Sequence, residues 1–226
     1  MNNIPSGANA VNGPAFNTGT VPVDILTRGD NPSDFADDSR DDAATLDLVI
    51  TSACDVVPEE MQWLWYPYLP LGKLCLLGGD PGLGKTFAAL AMASAYSRGK
   101  WPFLTSGKPS ETEPGQTLFC GSEDGVADTL TPRLIALGAD LRRVKFFEGR
   151  RDKKGNVNRV LLDQEPELIS ACKQCRAKLL IFDPFQRFLP PKAKMNEMET
   201  VSPVVSALMR VAQKTGATVL LLGHLN

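Results

Sequence analysis

The sequence has one histidine, five cysteines and no long apolar run, and each scarcity excludes a class of protein. No stretch approaches the roughly 18 apolar residues of a membrane-spanning helix. The start, MNNIPSGANAVNG, lacks the basic residues and apolar segment of a signal peptide. An odd number of cysteines and a lone His224 favour neither a disulfide framework nor a structural zinc site. We therefore expect a cytoplasmic protein.

Two of the cysteines, Cys172 and Cys175, form the single C-x-x-C of the chain. At this spacing both side chains lie on one face of a helix, so we expect ordinary helix residues. Redox or metal chemistry is the alternative for this pair. Cys75 and Cys120 stand inside apolar runs and are expected to be small buried residues.

Acidic and basic residues nearly cancel, with a formal net charge of −2, but they are unevenly distributed. Residues 1–60 hold eleven acidic and two basic residues, a net charge of −9. Residues 61–226 hold fifteen acidic and twenty-two basic residues, a net charge of +7. The net charge of −2 excludes a histone-like protein, but it is the sum over two segments of opposite charge.

Composition divides the chain into three segments. Residues 1–45 are rich in Asn, Gly, Pro, Ser and Asp, which predicts a disordered acidic tail with a short helix near residues 44–50. Residues 46–72 are a lead-in segment expected to pack on the core. Its aromatic stretch MQWLWYPYLPLG favours a core edge, with a base-stacking platform as the alternative. Residues 73–226 are the predicted core.

Short apolar runs alternate with helical patterns in this core. The runs are typical of central parallel strands covered on both faces, and they are residues 73–78, 116–121, 144–147, 178–183 and 218–223. The helical patterns are residues 85–97, 126–137 with a break at Pro132, 165–176 and about 202–214. This alternation predicts an α/β protein, a three-layer sandwich with a central parallel sheet.

A phosphate-loop motif, G-x-x-x-x-G-K-[ST], lies between the first predicted strand and helix. Its residues are Gly79, Asp80, Pro81, Gly82, Leu83, Gly84, Lys85 and Thr86, followed by Phe87. Glycines let the backbone approach phosphates, and amides at the helix start supply partial positive charge. We expect these residues to bind ATP, with Lys85 on the β- and γ-phosphates and Thr86 on Mg²⁺.

An acidic residue ends the later run LLIFD, at the carboxyl edge where open α/β sheets bind ligands. This position predicts that Asp183 holds Mg²⁺, directly or through water. The alternative is a carboxylate that only caps the turn.

Two further residues at predicted strand ends are candidates for catalysis. Many ATPases place the base directly after the Mg²⁺ aspartate, but Pro184 occupies that position here. Glu123, which follows the run LFCGS, is the candidate base, with helix capping as its alternative. His224 ends the last run, where a polar residue can sense the γ-phosphate and relay its loss to a nucleic-acid loop. A structural role is the alternative for this histidine.

Residues 58–226 resemble the RecA/DnaB-like ATPases, in the AAA-domain group typified by the plasmid replicative helicase RepA. The resemblance rests on the segments WLWYPYLPLGKLCLLGG, GDPGLGKT, FCGSEDGVADTLTPRLIALGADL, LLIFDPFQRFL and VAQKTGATVLLLGHLN. It implies a RecA-like core in which Lys85 and Thr86 bind phosphates and Mg²⁺. It further implies that Glu123 is the base, Asp183 the Mg²⁺ acid and His224 the sensor.

The same resemblance implies more about the nucleotide site and the partners. Arg133 matches an arginine near the nucleotide. ATP and Mg²⁺ are the implied cofactors, and single-stranded DNA and a homo-oligomeric ring, often a hexamer, are the implied partners. Such cores continue past the sensor strand with a DNA-binding loop, further strands and a finger residue acting across subunits. The sequence ends at Asn226, so we expect a C-terminally truncated core.

Two basic clusters are candidates for DNA contact. Residues 142–159 carry eight Lys or Arg against Glu148 and Asp152, with a solvated charged hairpin as the alternative. Residues 187–194 follow the Asp183 run, near where related ATPases have a DNA-facing loop.

The sequence thus predicts an ATP-binding, Mg²⁺-dependent ATP-hydrolysing domain of a RepA-like replicative DNA helicase or a related phage or plasmid ATPase. Two alternatives stay open. One is a non-hydrolysing, nucleotide-dependent DNA-binding or mediator module, and the other is a P-loop phosphotransferase. Turnover of ATP with and without single-stranded DNA distinguishes the three.

Overall fold

A computed structural model describes residues 49–105, 108–121, 123–191, 193 and 197–224. The tail predicted for residues 1–45 lies outside these residues, as does most of the helix predicted near residues 44–50. Residues Val57–Asn226 form one compact unit, and a 3₁₀ turn, Ala53–Asp55, lies among the described residues that precede it in the chain. None of the helices among the described residues combines the length and apolarity that a membrane crossing requires.

The central sheet has five parallel strands among the described residues. The strands of the unit, in chain order, are β1 Trp63–Trp65, β2 Leu69–Pro70, β3 Leu74–Gly79, β4 Lys100–Thr105, β5 Lys108–Glu111, β6 Gln116–Gly121, β7 Val144–Phe146, β8 Arg150–Arg151, β9 Val157–Asn158, β10 Ala177–Asp183 and β11 Thr218–His224. The α-helices are α1 Lys85–Arg98, α2 Thr131–Ala136, α3 Glu165–Cys175 and α4 Met198–Thr215. The sheet order is β3-β11-β10-β6-β7, and every neighbouring pair is parallel.

Alternate residues of the sheet enter two separate cores, one on each face. On β10, Leu179 and Ile181 join the core that holds α1, whereas Leu180 and Phe182 join the core that holds α3 and α4. This period of two follows from strand geometry, and burial of both sets explains the continuous apolar run. The predicted three-layer α/β sandwich with a central parallel sheet is confirmed.

The aromatic lead-in packs against the α1 side of the sheet. Its hairpin, β1 and β2, buries Trp65, whose ring stacks on Trp101 with centroids 5.0 Å apart and planes at 4°. Trp101 in turn stacks on Tyr96 of α1 at 6.2 Å. Tyr66 and Tyr68 are more than half exposed. The buried tryptophans agree with the core-edge interpretation of this segment.

Two strands differ from their predictions. The runs at residues 73–78 and 144–147 were expected to form covered central strands, but among the described residues β3 pairs only with β11, β7 pairs only with β6, and each stands at an edge. In β3, Leu76 is 62% exposed. A continuous apolar run shows that the residues on both faces of a strand are apolar. It does not tell whether the strand has one neighbouring strand or two.

Two helix boundaries also differ from their predictions. The pattern at residues 126–137 divides into a wide turn, Val126–Leu130, and α2, with Pro132 in the first turn of α2. Proline has no N–H to donate to a preceding carbonyl, and the wide turn instead bonds the Leu130 N–H to Gly125 O at 2.9 Å. Helix α4 begins at Met198, four residues before its prediction, and includes Pro203 in its second turn.

The cysteine pair lies on α3, as its spacing predicts. Cys172 is buried, and the Cys175 thiol lies 3.1 Å from the carbonyl oxygen of Ala171, one turn earlier. Both are free cysteines. The described residues contain no group of three or more His, Cys, Asp or Glu side chains suited to hold a metal ion.

Candidate functional site

The register of the sheet brings the predicted site residues to one edge. His224 at the end of β11 is paired with Gly79 at the end of β3, where the phosphate loop begins. Asp183 at the end of β10 is paired with Gly121 of β6, two residues before Glu123. Parallel strands end at the same edge, so residues far apart in sequence meet there.

The phosphate loop joins β3 to α1 through two glycines in left-handed conformations. Gly82 has φ 82° and Gly84 has φ 78°, values that side chains other than glycine rarely adopt. A Cβ atom at either position would meet nothing within 4 Å, so the glycines are required for backbone conformation rather than for space. α1 then starts at Lys85, and its first backbone bond runs from the Ala88 N–H to Gly84 O at 2.9 Å.

The Lys85 ammonium lies across the loop it follows. It donates to the carbonyl oxygens of Gly79 and Asp80, each at 2.8 Å, and lies 3.3 Å from Nδ1 of His224. An ammonium has only donors, so this last contact is a hydrogen bond when Nδ1 is the unprotonated ring nitrogen. The lysine and the histidine, predicted separately from opposite ends of the core, therefore touch.

Thr86 and Asp183 form the second contact of the site. The threonine hydroxyl donates to the Asp183 carboxylate, whose residue is only 9% exposed. Burial raises the pKa of Asp183, the negative charges of Asp124 and Glu123 raise it further, and the Thr86 bond and His224 lower it. A hydroxyl and a buried carboxylate are oxygen donors that suit Mg²⁺, which commonly takes one or two carboxylates together with phosphate oxygens.

Glu123 lies near Thr86 and Asp183, and its carboxylate forms an ion pair with Arg187. The Arg187 side chain donates from Nε to Oε1 of Glu123 at 3.4 Å. Both partners are partly exposed, with 62% of the arginine side chain and 48% of the glutamate side chain accessible. Glu123 also lines a small pocket with Thr86 and Asp183, the predicted Mg²⁺ ligands.

Arg133, on α2, is tied to an acidic residue of the loop after β6. Its Nη1 donates to Oδ2 of Asp124 at 2.9 Å, and both side chains are partly exposed. The pair holds the guanidinium at the side of the cleft. Asp124 was not predicted as a site residue, although it directly follows Glu123 in the sequence.

An open cleft of about 520 Å³ collects most of the predicted residues. Those that line it are Pro81, Gly82, Gly84, Lys85, Thr86, Phe87, Glu123, Arg133, Asp183 and His224. Gly79 and Asp80 lie beneath it and bond the Lys85 ammonium. Leu83 does not line the cleft, and 71% of this residue is exposed.

The segment after Asp183 contributes Gln186, which the sequence prediction missed, and Arg187, which it had placed only in the second basic cluster. Both lie in a short 3₁₀ helix, Phe185–Phe188. The amide of Gln186 donates to the backbone oxygen of His224 at 3.4 Å, and Arg187 binds Glu123 as described. Their place directly after a predicted metal ligand is the signal that could have identified them.

The first basic cluster, residues 142–159, is in part a hairpin. β8 and β9 pair antiparallel, and the Asp152 carboxylate accepts from the backbone N–H groups of Lys154 and Asn156 in the turn. Arg150 pairs with Glu167 at 3.4 Å, and Arg142 pairs with Asp140 at 3.0 Å. Several of these cations thus have local partners, which fits the charged-hairpin alternative.

The second basic cluster, residues 187–194, is described only in part. Arg187 bonds Glu123, and Arg159 of the first cluster donates to the Arg187 backbone oxygen at 3.0 Å. The two clusters therefore meet at this arginine. Lys192 and Lys194 lie outside the described residues.

Comparison with protein families matches residues 40–226 to a family described as AAA domain. Comparison with curated proteins gives no match. The family match covers most of the sequence and agrees with the parallel sheet, the phosphate loop and the residues around it. The chain therefore belongs to the AAA domain family and carries a nucleotide-binding ATPase domain of the P-loop type.

Proposed function

We propose that this domain binds ATP with Mg²⁺, hydrolyses it and drives a RepA-like replicative DNA helicase or a related phage or plasmid ATPase. The observation that carries the proposal is the meeting of Lys85, Thr86, Glu123, Asp183 and His224 at one edge of the sheet. These residues come from four different segments of the chain, and each has the chemistry that one step of ATP hydrolysis needs.

The phosphates bind at the loop between β3 and α1. Backbone N–H groups and the start of α1 supply positive potential there, and the Lys85 ammonium adds a full charge. In the ligand-free structure this ammonium is satisfied by Gly79 O, Asp80 O and His224. ATP binding exchanges at least one of these acceptors for phosphate oxygens, so the contact between Lys85 and His224 depends on the nucleotide. Phe87 and Arg133 form the side of the cleft.

Thr86 and Asp183 hold the Mg²⁺ ion. Bound there, the ion would neutralise part of the negative charge that develops on the phosphates. Burial and two acidic neighbours raise the pKa of Asp183, and a Mg²⁺ ion at this position would favour its ionised form.

Glu123 acts as the base that orients the attacking water and accepts its proton. The residue lines the cleft together with Thr86 and Asp183. His224 senses the γ-phosphate through its contact with Lys85, because any shift of that ammonium changes the partner of Nδ1. Gln186 then carries the change of His224 to the segment after β10.

Partners and cellular context extend the proposal. The segment arrangement is an acidic tail in residues 1–45, a lead-in in residues 46–72 and the ATPase core in residues 73–226. Single-stranded DNA is the proposed polymer, and a homo-oligomeric ring in the cytoplasm is the proposed assembly. The net charge of +7 on residues 61–226 supports an anionic partner.

The test is ATP hydrolysis by the purified protein with and without poly-dT. We expect hydrolysis to require Mg²⁺ and to rise with poly-dT. Lys85→Ala and Glu123→Gln should each lower kcat by at least about 100-fold, the usual size of a lost base or charge stabiliser. The matched controls are Lys73→Ala and Glu148→Gln, because both residues are exposed and lie outside the cleft.

Three outcomes would contradict the proposal. Nucleotide binding without turnover would indicate the mediator module. Transfer of phosphate to an added acceptor would indicate a phosphotransferase. Turnover that survives Glu123→Gln would assign the base elsewhere.

A further inference from the structure

We propose that Arg187 restrains Glu123 and that an anionic nucleic-acid backbone releases the carboxylate by taking the guanidinium. This inference rests on the proposed role of Glu123 as the base. It adds a positioning residue and a physical route by which single-stranded DNA raises the hydrolysis rate.

The restraint is a single exposed ion pair. Arg187 Nε lies 3.4 Å from Glu123 Oε1, and solvent reaches about half or more of each side chain. Exposed pairs of this kind are weak and are screened by salt. Such a contact can bias the direction of the carboxylate and yet be displaced by a phosphate group, which pairs with arginine through two parallel hydrogen bonds.

The backbone beneath Arg187 is fixed while its side chain is free to change partner. The flanking Phe185 and Phe188 are both buried, and the Arg187 N–H donates to Pro184 O at 3.2 Å. The Leu162 N–H donates to the Phe188 oxygen at 2.9 Å and ties the segment to the chain before α3. A change at this site therefore moves the guanidinium, and the strand that carries Asp183 keeps its position.

A second guanidinium completes the anion site. Arg159 donates from Nη1 to the Arg187 backbone oxygen at 3.0 Å, and its guanidinium lies 5.3 Å above the Phe188 ring. The hairpin of β8 and β9, in the same basic cluster as Arg159, carries the exposed Arg150 and Arg151. Closely spaced arginines are the usual partners of successive phosphates in a nucleic-acid strand.

The same segment contacts both proposed reporters of the reaction. Gln186 bonds the His224 oxygen and the adjacent Arg187 bonds Glu123. An anion that binds Arg187 therefore frees the Glu123 carboxylate. A change at His224 on loss of the γ-phosphate reaches Gln186, which is next to Arg187. If nucleotide and DNA binding are coupled through this segment, each changes the affinity of the other by the same factor.

The test is steady-state hydrolysis by Arg187→Gln in the complete chain. Without DNA, we expect kcat to rise about twofold to fivefold, the range that an exposed ion pair can hold, with KM for ATP unchanged. Stimulation by poly-dT should be lost. Arg187→Lys keeps the charge and should retain part of the stimulation. Arg159→Gln should keep some stimulation, but its half-maximal stimulation should require a higher concentration of poly-dT.

Two further variants tie the effect to the pair. Adding Glu123→Gln to Arg187→Gln should abolish the raised rate, because the rate depends on the released carboxylate. The matched control is Arg210→Gln, since Arg210 is also an exposed arginine paired with one carboxylate, Glu165, and lies outside the cleft. It should leave the rate and the stimulation as in the parent chain.

Failure of this inference differs from failure of the proposed function. A parent chain that hydrolyses ATP and responds to poly-dT, together with an Arg187→Gln variant of the same rate and response, overturns the inference alone. A fall in kcat for Arg187→Gln, with the stimulation ratio intact, also overturns it, because Arg187 would then assist Glu123. A parent chain without turnover under any condition overturns the proposed function.

Discussion

Asp183 is the residue at which the charges of the site compete. Burial and the neighbouring Asp124 and Glu123 raise its pKa, whereas Thr86 and His224 act in the opposite direction. Arg133 and Arg187 are the cations paired with those two neighbours. The raised pKa of Asp183 thus reflects both its burial and the two acidic neighbours, each of which is itself paired with an arginine.

The cysteines give a prediction at the scale of single residues. Burial raises the pKa of Cys172 to about 12, with Cys175 adding to the shift, and it raises the pKa of Cys120 well above the usual range. The thiolate is the reactive form, so a raised pKa leaves almost none of it at pH 8. We expect a maleimide to label the exposed Cys54 quickly and to leave Cys120 and Cys172 unmodified, as read by peptide mass mapping.

Unfolding provides the control for this labelling. In a denaturant all five thiols should react at similar rates, because burial is removed. Labelling of native Cys172 at a rate close to that of Cys54 would contradict a buried, inert C-x-x-C. It would return the redox alternative to consideration.

The residues of the site could be predicted where a motif fixes them, and their partners could not. Lys85 and Thr86 follow from the phosphate loop, and Asp183 and His224 from the strand ends. The ion pairs Arg133–Asp124 and Arg187–Glu123 depend on how two loops fold beside each other. No local pattern carries that information, since each pair joins segments whose separation is set by the tertiary structure.

At the scale of elements, α3 and α4 are joined by a charged cluster at their surface. Glu165 at the start of α3 accepts from Arg210 Nε and Lys214 Nζ of α4, each at 2.7 Å. The hydrogen bond from Lys214 is the largest cause that lowers the pKa of Glu165, and the bond from Arg210 is the next. The two helices that cover one face of the sheet are thus linked by a carboxylate that favours its ionised form.

This cluster predicts how stability depends on pH. A carboxylate whose pKa is lowered by folding contributes its full stability above the unfolded value of about 4.3 and loses it as the pH falls through the folded value. The thermal unfolding temperature of Glu165→Gln should therefore lie below that of the parent chain at pH 7, and the difference should shrink below pH 4. Calorimetry at both pH values measures it.

The comparison variant is Glu60→Gln, which removes an exposed carboxylate. Its difference from the parent chain should be small and should not change with pH. A difference for Glu165→Gln that stays constant from pH 7 to pH 3 would show that the ion pairs contribute nothing to the helix contact.

The five sheet strands were predictable, and the elements that contain an internal proline were not. Each of the five strands has a short apolar run, which predicts a strand whether it lies at the centre or at an edge of the sheet. The hairpin of β4 and β5 was missed, since Pro102 and Pro109 interrupt its sequence and proline is accepted only at strand edges. The early start of α4 was also missed because of a proline. Proline is most common in the first turn of a helix, so Pro203 suggested a start near residue 202, whereas the helix begins at Met198.

At the scale of the whole molecule, charge is arranged to favour anions. Residues 61–226 carry a net charge of +7, although the cleft itself holds several carboxylates. The excess of cations outside the cleft raises the local concentration of anionic ligands and is weakened by salt. Assays of nucleotide and DNA binding are therefore expected to depend on ionic strength, even where the contacts inside the cleft do not.

Nucleotide binding should stabilise the whole domain through linkage. A ligand that binds only the folded state at 100 times its Kd adds about 2.7 kcal/mol to the free energy of unfolding. For a domain of this size each kcal/mol raises Tm by roughly 2–4 °C, so saturating Mg²⁺ and ADP should raise Tm by about 5–11 °C. Lys85→Ala removes the phosphate-binding charge and should lose most of this shift, whereas Lys73→Ala should keep it. Because the cleft is formed at the carboxyl ends of four sheet strands and by α1 and α2, a large shift that survives Lys85→Ala would mean that the nucleotide binds the domain elsewhere.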